Sequence, residues 1–138
     1  MNLSYCGMVI VELFCMLKSL SYFNLIFTII YFLQYLQNGS SVTVAGIISV
    51  VLFNWLILRG LERGALKWTV FEWLTGIPAF VFALFTGFSA IFLWSDAIEY
   101  DFYPFSSILL IFFGLLFSLG LIVHIFVSFA QKTSKKEY

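Results

Sequence analysis

The chain has 138 residues, 62% of them hydrophobic and 10% charged, and its seven basic and seven acidic side chains balance to a formal net charge of zero. A soluble domain of this size clothes its core in charge, and a mean hydropathy of +1.04 leaves too little polar material for that coat. No Lys, Arg, Asp or Glu lies between Ser19 and Leu58, between Trp73 and Ser95, or between Phe102 and Gln131. Each of these gaps holds one or more stretches of roughly 20 apolar residues, enough to cross a hydrocarbon core of about 30 Å. Backbone groups in lipid must be satisfied within their own segment, so the expected class is all-α: a membrane-embedded antiparallel four-helix bundle.

In chain order, residues 1–17 are apolar but carry Glu12, and Lys18 follows with no turn residues before the next apolar stretch. The basic start and small-residue cleavage site of a signal peptide are not evident. Residues 1–18 therefore read as a short cytosolic or interfacial N-terminal segment or an extension of the first span, the alternative being a cleaved or separate segment. Cys15, close to Lys18, suits palmitoylation and equally suits a small buried hydrophobe. The first span covers about 19–36 and sets Asn24, Thr28, Tyr31 and Tyr35 on one face. A polar turn at 37–41 with a permissive glycine reverses the chain. Its Asn38-Gly39-Ser40 matches the glycosylation sequon, but at the membrane surface the expected state is unmodified.

The second span covers about 42–58 and contains Asn54; Arg59, Arg63 and Lys67 follow it. The third, about 68–94, opens with Glu72 and places Gly76, Ala79, Ala83, Gly87 and Ala90 on the same helical face by spacings of three and four. Small side chains in such a stripe let another helix approach closely, and close packing drives helix association in lipid. Pro78 is expected to bend this span. An acidic loop at 95–104 carries Asp96, Glu99 and Asp101. The fourth span, about 105–130, contains Gly114, Ser118, Gly120 and His124, and residues 131–138 form a basic tail with Lys132, Lys135 and Lys136. All seven basic residues thus fall on one side, which the positive-inside rule makes the cytosol for both termini and the central loop. Cys6 and Cys15 then lie on the cytosolic side, where no disulfide is expected.

Asn24, Asn54, Glu72 and His124 lie four to six residues inside the cytosolic ends of their spans, forming one intramembrane polar layer. Glu72 shares the small-residue face, so it is expected to point inward with His124 as its partner. Such a layer is either a hydrogen-bond cluster that fixes helix register or an ion or proton site. The solitary His has no Cys, Asp or Glu at metal-ligand spacing, and phosphate-loop and nucleophile-elbow patterns are missing. The expectation is a non-enzyme without metal or cofactor, whose partners are membrane lipids and other membrane proteins or its own copies, and not nucleic acid.

Residues 42–94, VTVAGIISVVLFNWLILRGLERGALKWTVFEWLTGIPAFVFALFTGFSAIFLW, show a span, a compact turn with Arg59, Glu62, Arg63, Lys67 and Trp68, and a span opening on Trp68, Phe71, Glu72 and Trp73. Together with Met16-Leu17-Lys18-Ser19-Leu20, this pattern resembles the MARVEL-domain four-pass proteins, chemokine-like-factor branch, over about residues 15–131. Outer loops without cysteine depart from the tetraspanin and claudin patterns. The resemblance implies a non-enzymatic role in membrane apposition, vesicle trafficking or the escort of other membrane proteins, at the plasma membrane or on endosomal or Golgi vesicles. The stripe on the third span would be either the internal seam or the partner-binding face. Two other readings stand beside it: a small transporter or channel subunit using the Glu72/His124 layer, and a structural cell-junction component.

Overall fold

In the computed structural model, residues 3–35, 40–64 and 68–134 are described. Gln37, Asn38 and Gly39 of the expected turn and sequon, Lys67 of the central loop, and Lys135 and Lys136 of the tail lie outside the described residues. Four helices follow one another: α1 (Leu3–Tyr35), α2 (Ser41–Glu62), α3 (Val70–Glu99) and α4 (Phe105–Ser134). Each contains a stretch long and apolar enough to cross a membrane, so the protein is a multi-pass membrane protein. Among the described residues there is no strand.

The helices run longer than the charge gaps. α1 continues without a break through Lys18, with an apolar stretch at Val11–Leu33 where the sequence suggested about 19–36. Charge alone does not end a helix: Glu12 and Lys18 are exposed, where long polar side chains reach out of the apolar layer. The real stops are backbone devices. α2 is capped at its start by Ser40, whose hydroxyl accepts from Thr43 N–H at 3.3 Å. It ends where Gly64 takes φ +65° and donates its N–H to Leu61 O at 3.0 Å. α3 ends in a similar turn with Asp101 at φ 49° and Phe102 N–H on Ala97 O at 3.2 Å, and α4 starts on Pro104 O.

Each helix packs on its neighbours in sequence and α4 closes the ring against α1, with the longest contact between α3 and α4. The inward faces repeat at three and four residues, as a helix face must. α1 buries Leu17, Ser21, Asn24, Thr28 and Tyr31; α4 buries Ile111, Phe117, Leu121, His124 and Ser128. Of the expected one-face set Asn24, Thr28, Tyr31 and Tyr35, the first three are turned into the bundle, and the side chain of Tyr35 lies outside the described residues. Large apolar side chains such as Phe85, Phe88 and Phe92 cover the outside, where lipid replaces water as solvent.

The stripe on α3 forms the internal seam. Ala79 and Ala83 are fully buried and Ala90 nearly so. A Cβ on Gly76 would sit 3.3 Å from the Phe53 ring of α2, and one on Gly87 would sit 2.6 Å from Ser118 Oγ of α4. Ser118 donates that hydroxyl to Ala83 O at 2.7 Å, a bond that needs the backbones this close. α2 and α4 add their own glycines. A Cβ on Gly46 would overlap the Phe82 ring, and one on Gly114 would meet Tyr31 Oη at 2.7 Å.

Candidate functional site

The strongest concentration of buried polar chemistry surrounds His124, on the inward face of α4. His124, Asn24, Ser21, Asn54 and Ser128 are all fully buried. Asn24 Nδ2 lies 3.2 Å from His124 Nδ1, and Ser21 Oγ lies 3.1 Å from Nε2. The carboxamide nitrogen can only donate, so Nδ1 accepts; the neutral ring then carries its proton on Nε2 and donates to Ser21. α1 thus holds α4 through both nitrogens of one imidazole, with neutral partners throughout. Thr28 donates to Asn24 O at 2.6 Å and Ser128 to His124 O at 2.7 Å, so these hydroxyls are satisfied on their own helices. From α2, Phe53 packs edge-on against the imidazole, 5.5 Å between centroids, and Asn54 donates Nδ2 to Val50 O at 2.8 Å.

Of the four residues expected in the layer, three are buried in the core and Glu72 stands apart. Its carboxylate turns back to accept Thr69 N–H at 2.8 Å and also receives the Thr69 hydroxyl. The expected Glu72–His124 partnership is therefore corrected. α3 begins at Val70, so Glu72 sits in its first turn, where unpaired N–H groups and the helix dipole attract a carboxylate. Trp68 closes the other route: its indole donates Nε1–H to Ser128 O at 3.1 Å and packs on Phe53, Trp73 and Phe129, filling the space beside α4 one turn from His124. Glu72→Gln preserves an oxygen acceptor for Thr69 and is expected to leave thermal stability unchanged within about 0.5 kcal/mol. Glu72→Ala removes the acceptor and lowers stability by roughly 0.5–2 kcal/mol; thermal unfolding in detergent measures both.

The expectations from sequence left out Ser21 and gave Trp68 no part in the layer. The spacing Ser21, Asn24, Thr28, Tyr31 was a signal for the first, since it extends the polar face by one turn. Trp68 offered no such signal, because an interfacial tryptophan looks the same whether it faces headgroups or caps a helix pair. Cys15 is exposed on α1. Among the described residues no group of three or more His, Cys, Asp or Glu is placed to hold a metal ion.

Above the His124 layer large aromatic and aliphatic side chains fill most of the core, and the buried hydroxyls among them, Thr28, Thr86 and Ser118, donate to backbone carbonyls. Tyr31 stacks on Phe117 with 5.3 Å between centroids, Phe82 meets Phe117 edge-on at 6.4 Å, and Ile47 and Val50 close the α2 side. The architecture defines a four-helix multi-pass membrane protein with a neutral polar cluster in an otherwise packed interior. Comparison with known family models, curated proteins and solved structures finds no match.

Proposed function

We propose that the protein is a non-enzymatic membrane organiser: it helps to traffic or stabilise other membrane proteins through lateral contacts of its lipid-facing helices, in the manner of the MARVEL-domain proteins its sequence resembles. The observation that carries this reading is the packed interior. Phe27, Tyr31, Val50, Phe82 and Phe117 fill the core beyond His124, and the stripe Gly76, Ala79, Ala83 and Ala90 is consumed by internal packing. With the inside filled, the chemistry left for partners is the outer surface, rich in Phe on α3 and α4. The transporter reading loses its main support, because its Glu72/His124 pair is split between a helix cap and a neutral cluster. In the proposed orientation both termini are cytosolic. The grouping of Arg59 and Arg63 at the end of α2, against Asp96, Glu99 and Asp101 at the far end of α3, supports it. The basic end would also favour anionic inner-leaflet lipids.

Photocrosslinking in native membranes tests the proposal. A photoreactive side chain at Phe85 or Phe88, both more than half exposed, is expected to capture specific membrane proteins, whereas one at fully buried Ala83 yields only intramolecular products. Capture of the same chain alone, together with ion flux in reconstituted vesicles, would favour the transporter instead. Arg63 and Asp96, replaced in turn by cysteine, should be labelled from opposite sides of the membrane.

A further inference from the structure

Asn54 keeps its carboxamide oxygen fully buried and without a hydrogen-bond partner. Buried acceptors are paired in the great majority of proteins, by protein or by water, because an orphan forfeits its solvation. The side-chain donors of the layer are engaged elsewhere: Asn54 Nδ2 on Val50 O, Thr28 on Asn24 O, Ser128 on His124 O, and His124 Nε2–H on Ser21. That arrangement leaves the Ser21 hydroxyl proton itself to be placed. Ser21 stands 14 residues before the end of α1 at Tyr35, and Asn54 13 residues after the start of α2 at Ser41. With a rise of about 1.5 Å per residue in two packed antiparallel helices, the two side chains come to nearly the same height. Asn24 Oδ1 is also without a partner, but α4 closes over it: a Cβ on Gly120 would lie 2.9 Å away, so this oxygen rests against backbone.

We infer that the layer binds water, in a site between α1 and α2 where one molecule accepts the Ser21 hydroxyl proton and donates to Asn54 Oδ1 beside the His124 ring. Water suits the site because it supplies the donor Asn54 lacks and the acceptor Ser21 lacks. A monovalent cation is disfavoured, since the surrounding groups are neutral and a bare charge here would lack compensation. The site is independent of the proposed lateral function and joins α1 to α2 as His124 joins α1 to α4.

The chain has one histidine, so the full-length protein labelled with isotopic histidine and alanine gives one ring to follow by solid-state NMR in lipid bilayers. Magnetisation from water is expected to reach the His124 ring several-fold faster than the alanine methyls of the seam at Ala79 and Ala83. Equal, slow transfer to both would mean a dry layer and overturn the inference. Asn54→Leu should slow transfer to the ring toward the alanine rate while the ring nitrogen shifts stay those of the neutral tautomer; unchanged transfer would show that Asn54 holds no water. Ser21→Ala gives a second variant with the same expected loss. A His124 shift that follows replacement of sodium by choline would assign the site to a cation and overturn the water reading.

Discussion

Gly46→Ala lowers the stability of the folded bundle by about 1–3 kcal/mol, the cost of overpacking a filled interior, and Gly46→Leu drives α2 away from α3. The added Cβ falls onto the Phe82 ring, which is only 4% exposed and has nowhere to go. Phe117 meets Phe82 edge-on and is itself stacked on Tyr31, so a displaced Phe82 would disturb α1, α3 and α4 together. Interiors packed to this density transmit a one-carbon change instead of absorbing it. Phe82→Leu in the Gly46→Ala background is expected to recover part of the loss, giving a non-additive coupling between the two positions. Unfolding titrations of the two single variants and the double variant in mixed micelles measure it. Simple additivity would place Phe82 elsewhere than against Gly46.

Substitution of His124 is the second large effect. His124→Leu roughly keeps the volume but removes the ring partners of Ser21 Oγ and Asn24 Nδ2 and sets a hydrocarbon side chain against them. A single interhelical hydrogen bond in a membrane is worth only about 0.6 kcal/mol on average, so most of the cost comes from orphaned groups, about 1–3 kcal/mol each. His124→Ala adds a cavity beside Phe53 and raises the total to about 3–5 kcal/mol. Adding Ser21→Ala and Asn24→Leu to His124→Leu removes the orphans together, and stability should return most of the way. The same unfolding titration reads the series. A series in which the added substitutions bring no recovery would contradict the cluster as drawn.

These two sites differ in how far the linear chain announced them. The membrane class and the number of spans were readable, because a run of twenty apolar residues without charge has few other uses and the cost of an unpaired backbone in lipid leaves helix as the answer. The face of α3 was readable for the same reason of periodicity: small residues three and four apart must share a side. Which neighbour that side meets was not. Gly76 meets α2 while Gly87 meets α4, since adjacent parts of one stripe serve two different helices in a closed ring.

The polar layer divides along the same line. Depth from the charged ends brought Asn24, Asn54 and His124 to one level, a one-dimensional property that a count of residues can supply. Pairing is set by the angular position of each side chain around its helix and by where each helix starts. α3 begins at Val70, two residues later than the charge pattern suggested, and that shift makes Glu72 a cap instead of a core residue. His124 then finds Ser21 and Asn24, because α4 returns beside α1. Composition thus determined the solvent and the helices by themselves. Only the packing of all four decided which polar atoms meet, since that depends on contacts a hundred residues apart in the chain.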